Sequence, residues 1–580
     1  MDPREALQQY FGFADFRPGQ REAVEAAIAG RDVLVVMPTG AGKSLCYQLP
    51  ALMRRDLTIV VSPLVSLMQD QVEALSRITD EVALINAQAG PEANRAALER
   101  ARLGQLRLLY VAPERFSSAS FLNGIAGVDV GLFVVDEAHC VSQWGHDFRP
   151  DYFRLADAAR WLGAKAIVAS TATATPQVAR DIAERLRLDE PALVSTGFDR
   201  PNLTFAVVPC RTTADKHARI AAALSEPEAR PAIVYAGTRA GTETLARKLA
   251  GELPGEVLAY HAGLPRDARA AAQRRFMSGE VDVVVATNAF GMGVDKADVR
   301  TVCHESVPSS LEAYYQEAGR AGRDGAPSRA LLFAESRDKG LHVFFIQRAQ
   351  VDDGLFMRVA ERLRRRANEQ DRYDLGLDEL VAQGCEEEQV RSIVGHLARA
   401  GVVQPAPSSP DRLKGKVLGR FDGRARAACK ASAGEAERAR WRQYRSIWGF
   451  VESNACRRTA ILRHFGDASR PTPEPGVPCC DVCAPADAVP TAVREAGGAG
   501  ARSRGGAARR AGAGPVGGDL TAAIVEVVTT ADPAVGRTRA VEILRGGRSK
   551  VIQKHAYDGL PGYGAFAHLR ADDVLERVDA

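Results

Sequence analysis

The sequence predicts an α/β protein: two doubly wound parallel-sheet domains in tandem, then a small cysteine-rich helical domain and winged-helix-like modules. Three observations carry that prediction. Short β-branched apolar runs alternate with helical stretches through about residue 345. The alternation breaks once and restarts. Four of the ten cysteines crowd together late in the chain.

The first series of runs is VLVVM (Val33–Met37), TIVVSPL (Thr58–Leu64), LRLLYVAPE (Leu106–Glu114), GLFVVDEAH (Gly131–His139) and AIVASTAT (Ala166–Thr173). The second is AIVYAGT (Ala232–Thr238), EVLAYHAG (Glu256–Gly263), VDVVVATNAFGMG (Val281–Gly293), TVCHESVP (Thr301–Pro308) and RALLFAE (Arg329–Glu335). Near-continuous apolar strands separated by helices belong to parallel sheets covered on both faces. A break near Gly197–Pro209 divides them into domains at 1–205 and 206–345. Such sheets bind ligands at the carboxyl ends of their strands.

The stretch 346–430, containing LGLDELVAQGCEEEQVRSIVGHLARAGVVQPAPSSPDRLKGKVLGRF, reads as helix, turn, helix and basic hairpin. That is winged-helix patterning, with Lys414, Lys416 and Arg420 on the wing. A helical spacer that only packs on the preceding domains is the alternative. A cysteine-bearing domain follows at 431–485. Residues 486–518, with GGAGARSRGGAARRAGAGPVGG, are too poor in apolar side chains to bury a core and read as a flexible basic linker. A last module occupies 519–580.

Composition narrows the function classes. Lys and Arg number 76 against 72 Asp and Glu, a net charge of +4, so nucleic-acid binding must be argued from where charge and aromatics sit. No apolar run approaches the roughly 18 residues of a membrane span. The N-terminal MDPREALQQYFGF lacks the pattern of a signal peptide. Six cysteines are scattered singly, which favours a cytosolic protein with one metal site over a disulfide framework.

Three motifs carry phosphate chemistry. In TGAGKS (Thr39, Gly40, Ala41, Gly42, Lys43, Ser44) the glycines let backbone amides turn inward as an anion nest after a strand. Lys43 reaches the β/γ-phosphates of a triphosphate and Ser44 can ligate Mg²⁺. Met37 stands where the strict pattern wants glycine. In DEAH (Asp136–His139), Asp136 can bind magnesium through water and Glu137 can orient the attacking water. In QEAGRAGRDG (Gln316–Gly325), Arg320 and Arg323 lie three apart, so on a helix they share one face. Arg323 is the candidate finger on the γ-phosphate, with Arg320 beside it. A chance glycine-rich turn, a solvated acidic strand end and a basic helix face would each explain one motif alone. They do not explain all three in this order at strand ends.

Near Glu137, Trp144, His146, Phe148 and Arg149 crowd into SQWGHDFRP. Base–aromatic stacking contributes roughly 1–3 kcal/mol per base and tolerates any sequence. A loop that stacks on a strand beside the catalytic glutamate can couple the two. Core packing of Trp144 and Phe148 is the alternative, and the surrounding Gly, His, Asp and Arg make a poor core pattern.

These residues resemble the RecQ DNA helicases of superfamily 2, in LQQYFGFADFRPGQREAV, MPTGAGKSLCYQLPAL, DEAHCVSQWGHDFRPDY, TATAT, ATNAFGMGVDKADVR and YYQEAGRAGRDG. The resemblance covers about residues 5–350 and resumes around Cys456–Cys483. It implies two RecA-like domains and an ATP-dependent helicase moving 3′ to 5′ on single-stranded and forked DNA in repair and recombination. It assigns adenine recognition to Phe13, Arg17 and Gln20, and ATP contacts to Gly291, Asp295 and Gln316. Ser142, Gln143, Trp144, His146, Phe148, Arg149 and Asn288 become DNA contacts, and Thr171–Thr173 the coupling motif. An ATP-driven translocase or annealing factor that does not separate strands is the second reading. A monomer at the bacterial nucleoid, partnered by a single-strand-binding protein, is the cellular expectation.

Cys456, Cys479, Cys480 and Cys483 can complete a tetrahedral Zn²⁺ shell, and a closed site of four thiolates is structural. Adjacency of Cys479 and Cys480 tightens the geometry, and a cluster in which one of them stays free is the alternative. In the last module, RAVEILRGGRSK resembles the winged-helix domain that follows zinc in this family, with Arg539, Arg545, Arg548 and Lys550 as phosphate contacts. A solvated basic surface is the other reading.

Overall fold

The computed structural model describes residues 1–580 except 64, 87–88, 143–151, 153, 292–295, 382–386, 407–411, 503–519, 532–534, 548–551, 553–554, 556, 558–559, 561–562, 567–573 and 575–580. The chain forms two compact units, Met1–Gly500 and Ala501–Ala580.

In the first unit, seven strands build one sheet: β1 (Val33–Val36), β2 (Leu57–Val61), β3 (Val82–Ile85), β4 (Leu108–Val111), β5 (Val130–Val135), β6 (Ala166–Thr171) and β7 (Ala192–Ser195). All pairs are parallel, in the order β3-β4-β2-β5-β6-β1-β7. Six more build a second parallel sheet: β8 (Leu203–Cys210), β9 (Ala232–Tyr235), β10 (Val257–Tyr260), β11 (Val283–Ala286), β12 (Thr301–His304) and β13 (Ser328–Glu335), ordered β10-β11-β9-β12-β13-β8. Strands β1, β2, β4, β5 and β6 are buried throughout, as continuous apolar runs require when helices cover both faces.

Two sequence expectations need correction here. Strand β8 begins inside the predicted break, so a boundary at residue 205 would cut it. The chain crosses between sheets at 196–202 instead. LTFAVVPC hides because Pro201 precedes it and Pro209 stands within it, yet neither proline costs a ladder bond that this edge strand needs. The supposed linker also starts with a helix, Thr491–Arg502, preceded by the buried Val489 and carrying the buried Val493. Alanine outweighs glycine there in helix propensity. Residues 503–518 lie outside the described residues.

Between the second sheet and the cysteines stands a small module with its own core, including Phe356, Leu375, Ile393, Leu397 and Leu413. Helix Asp353–Arg365 leads into β14 (Arg372–Gly376). Helices Asp378–Val381 and Glu387–Arg399 follow, then β15 (Val403–Ala406) and β16 (Arg412–Val417), in an antiparallel order β14-β16-β15. This is winged-helix topology. Its third helix, Glu387–Arg399, turns Ile393–Leu397 inward, and His396 Nδ1 and Arg399 Nη1 each lie 2.7 Å from Ser432 Oγ on the long helix Gly423–Glu452. Lys414 sits 3.0 Å from Asp374, which Arg412 also engages at 2.7 Å, so two hairpin cations are spent locally. Lys416 faces Arg372 across the strands, both exposed. Like charges in register destabilise a sheet unless an anion lies over them.

The second unit holds helices Leu520–Thr530 and Arg537–Leu544 around a core of Val527, Ile543, Leu544 and Ile552. Arg539 pairs with Glu542 inside its own helix. Arg548 and Lys550 lie outside the described residues.

Candidate functional site

Strands β5, β6 and β1 are neighbours, so the turns at their carboxyl ends converge. They are DEAH, the Thr171–Thr173 turn and TGAGKS. The phosphate loop leaves β1 and enters helix Leu45–Met53, with Gly40 at φ +85° and Gly42 at +82°, the left-handed region that only glycine enters without strain. Met37 departs from the strict motif without disturbing it. Its side chain is core, its N–H donates to Thr171 O at 3.2 Å, and its carbonyl accepts from Lys43 Nζ at 3.3 Å.

Asp136 continues the β5 ladder, its N–H 2.8 Å from Val61 O. Glu137 takes φ +47°, a strained conformation for a non-glycine residue, and so turns off the strand beside its neighbour. Burial, and then the Glu137 carboxylate, push Asp136 up to about 7, with Lys43 opposing. Burial in turn draws Lys43 below the usual lysine range, against the pull of Glu137 and Asp136. The Thr39 hydroxyl is buried without a hydrogen-bond partner among the described residues. Two crowded carboxylates, a buried lysine and an inward glycine-rich turn are a donor set for a hard cation and a polyphosphate.

His139, which the sequence reading passed over, links two motifs: its Nδ1 lies 3.1 Å from Thr171 Oγ1 and 3.3 Å from Glu137 Oε2. Burial lowers its pKa, but interactions with Cys140 and Glu137 outweigh that and hold it well above the ordinary value. Ser142 is buried in the adjoining turn, its N–H donating to His139 O at 3.0 Å. Gln143, Trp144, His146, Phe148 and Arg149 lie outside the described residues.

Upstream, Gln20 is spent on the phosphate loop: its Nε2 donates to Ala41 O at 3.1 Å and Gly42 O at 3.2 Å, and its Oε1 accepts from Arg17 N at 2.9 Å. The Arg17 guanidinium donates to Gly40 O at 2.7 Å. Pairing of the Gln20 amide with an adenine edge therefore requires these bonds to be released. Phe13 is 54% exposed, free to stack on a flat ligand.

From the second sheet come the arginines, and here the helix expectation fails. Helix Leu311–Ala318, which carries Gln316, ends before Gly319, so Arg320 and Arg323 sit in the turn beyond it. Gly322, at φ +60°, makes the turn, and a side chain there would collide with Asn202 and Ser328. The two arginines diverge. Arg320 packs on Gly291, where an added Cβ would meet its Nη2 at 2.9 Å. Arg323 packs on the phosphate loop, where a Cβ on Gly40 would meet its Cγ at 3.4 Å. Asn288 is exposed nearby in sequence; Gly293 and Asp295 lie outside the described residues.

One more arginine went unread in the sequence. Arg200, in the crossing between sheets, donates to Thr39 O at 3.2 Å, Gly319 O at 3.0 Å, Ala321 O at 2.9 Å and Gly322 O at 3.0 Å.

The four cysteines form a compact group, with all four sulfurs within 4.8 Å of one another, Cys456–Cys479 at 3.6 Å and Cys456–Cys480 at 3.9 Å. A tetrahedron with Zn–S bonds of about 2.3 Å has edges of about 3.8 Å, so the donors fit. Cys456 caps helix Arg457–His464. Burial opposes its ionisation, but hydrogen bonds from Thr459, Cys483 and Cys479 outweigh it and bring it down to about 7. Cys479–Asp481 lies along the outer edge of β8: Asp481 N donates to Phe205 O at 3.2 Å and Thr204 Oγ1 to Pro478 O at 2.9 Å.

Comparison with known proteins places these features in families. Residues 17–182 match the DEAD/DEAH box helicase model, 215–325 the helicase conserved C-terminal domain, and 423–484 the RecQ zinc-binding domain. The probable ATP-dependent DNA helicase RecS of Bacillus subtilis is 34% identical over 481 residues, 83% of this chain and 91% of that one. The ATP-dependent DNA helicase RecQ of the same organism is 42% identical over 351 residues, 60% of this chain and 58% of that one. The DUF1998 helicase MrfA, solved bound to DNA, shares the fold at 19% identity and a TM-score of 0.50, over 73% of this chain and 63% of that one.

Proposed function

This chain belongs to the RecQ family of ATP-dependent DNA helicases, and on that premise we propose that it moves 3′ to 5′ on single-stranded DNA and unwinds forks in repair or recombination. The observation that carries the reading is the packing of Arg323, from the second sheet, on Gly40 of the phosphate loop of the first. A hydrolysis site completed by two domains opens and closes as they separate, which converts turnover into movement.

In this reading TGAGKS cradles the triphosphate, Phe13 stacks on the base, and Lys43 holds the β/γ-phosphates. Glu137, braced by His139, aims the water. Arg323 stabilises charge developing on the γ-phosphate, and Arg320 secures the Gly291 turn. Ser44 and Asp136 would hold magnesium, which when bound neutralises charge on the phosphates. Thr171 answers to the same histidine as Glu137, and Ser142 N–H donates to that histidine's carbonyl, so a DNA contact passed to Ser142 would reach the water-aiming residue through His139.

The test is strand displacement from forked duplexes bearing either a 3′ or a 5′ single-stranded tail, with Lys43→Ala as control. Displacement from the 3′ tail alone, abolished by Lys43→Ala, is the expected result. ATP turnover without displacement from either tail would replace this reading with a translocase.

The module running from helix Asp353–Arg365 to strand β16, inside the 346–430 stretch whose limits both fall within helices, either touches DNA or only braces the motor, and its exposed like-charge pair favours the former. Replacing Arg372 and Lys416 with alanine is expected to reduce the slope of log affinity against log salt by about 1 for each lost phosphate contact. Titration of a fluorescent fork reads this, and an unchanged slope would make the module a spacer.

A further inference from the structure

The segment 196–202 crosses between the two sheets, and four consecutive residues of it, Phe198–Pro201, are each held by the zinc-binding domain. Phe198 N donates to Asp467 Oδ2 at 2.9 Å, and Phe198 stacks on Phe465 with centroids 4.4 Å apart. Asp199 Oδ2 accepts from Thr472 N at 2.8 Å, and Glu474 N donates to Pro201 O at 3.0 Å. At the centre is Arg458, 1% exposed, on the helix that Cys456 opens. Its Nη1 donates to Asp199 Oδ1 at 2.6 Å and to the main-chain carbonyl of Arg200 at 2.7 Å, and its Nη2 to Leu203 O at 2.6 Å.

Arg200 is therefore fixed at its backbone by Arg458, while its guanidinium spans the ATP site. Three of its four bonds go to the 319–322 turn that carries Arg320 and leads into Arg323. The fourth, to Thr39 O, crosses to the phosphate loop. A planar fork with five fixed donors can hold four carbonyls on both sides of a cleft at once, whereas a lysine ammonium offers three donors on a flexible stem. The Tyr315 hydroxyl, donating to Phe198 O at 2.8 Å, ties the helix before that turn to the same segment.

We propose that Arg200 is a positioning residue that sets the Arg323 turn against the phosphate loop, and that Arg458 of the zinc-binding domain holds Arg200 in that role. The zinc-binding domain then acts on hydrolysis through the crossing segment. This inference rests on the ATP site proposed above. It adds that the geometry of the finger is set from outside both sheets. A displacement of about 1 Å in a reacting group can cost about 100-fold in rate, so a clamp one residue wide is enough to matter.

The test compares the parent with Arg200→Lys, Arg458→Lys and the double variant in the full chain. DNA-stimulated kcat and KM, affinity for a fluorescent ATP analogue, zinc content and thermal melting are measured. Arg200→Lys is expected to lower kcat about 100-fold while leaving analogue affinity within about 3-fold, the signature of an interaction that matters in the transition state. Arg458→Lys is expected to lower kcat about 10-fold with stoichiometric zinc retained. The double variant should be no worse than Arg200→Lys alone, because both act on one contact set. Parental kcat in Arg200→Lys, with only melting changed, would overturn the positioning role. Parental kcat in Arg458→Lys would overturn the part given to the zinc-binding domain. If Arg458→Lys fails to fold, Asp199→Asn, which removes its carboxylate partner, asks the same question. An inactive parent would instead defeat the proposed function.

Discussion

Arg323→Ala is expected to cut DNA-stimulated ATP turnover by about 1,000-fold or more, the range of arginine fingers in phosphoryl transfer, while leaving nucleotide affinity within a few-fold. The asymmetry follows from what the residue does. Charge builds on the γ-phosphate in the transition state, and a cation aimed there contributes more to the rate than to ground-state binding. In the structure the Arg323 side chain already rests on Gly40, so little rearrangement separates it from the phosphate loop. Arg320→Ala should behave differently. That side chain packs on Gly291, so its loss should loosen the 287–291 turn and raise KM along with lowering kcat. Phosphate release and binding of a fluorescent ATP analogue, measured on both variants, separate the two signatures. Turnover of Arg323→Ala within about 10-fold of the parent would remove it as the finger and make Arg320 or Arg200 the next candidate.

TGAGKS and DEAH were legible because each is a short contiguous string at a strand end, where local chemistry alone constrains residue type. Strands β1, β5 and β6 advertise themselves as β-branched runs, and the turns after them inherit their place from the sheet. What spacing could not supply was the path of the chain after a helix stops. A spacing of three positions from Arg320 to Arg323 reads as one helix face, but Gly319 and Gly322 end the helix first and send the two side chains apart. Strands β3 and β7 escaped for another reason. β7 alternates buried and exposed, as an edge strand does, and four-residue VALI carries too little pattern to stand out. Arg200 and Arg458 were beyond reach. They lie 258 residues apart, and a buried arginine that binds carbonyls leaves no periodicity to detect. His139 was in plain view inside DEAH, yet its link to Thr171 exists only because β5 and β6 are neighbours.

Cys483→Ser is expected to abolish stoichiometric zinc, and the consequence should spread well past the metal. Binding of a structural zinc contributes about 10–16 kcal/mol of folding free energy in small zinc domains, comparable to the whole stability of an ordinary domain at about 5–15 kcal/mol. Cys483 is the most exposed of the four, so the substitution creates no cavity and the effect reads out ligation itself. Two structures then lose their anchor. The Cys479–Asp481 segment covers the outer edge of β8, and its release would expose unpaired backbone groups of an eight-residue edge strand, a template for aggregation. Helix Arg457–His464 would lose the metal anchor at its N-cap residue, Cys456, and with it the fixed position from which Arg458 holds Asp199, Arg200 and Leu203. Metal analysis, soluble yield and ATP turnover of the soluble fraction should therefore fall together. The adjacent pair sharpens the case. Sulfur separations of 3.6 Å from Cys456 to Cys479 and 3.9 Å to Cys480 bracket the edge of a zinc tetrahedron, so Cys479→Ser and Cys480→Ser should each lose the metal as fully as Cys483→Ser does. Stoichiometric zinc in any one of the three would mean that a cysteine of the group stands outside the shell, and the site would then hold three thiolates and a ligand from elsewhere.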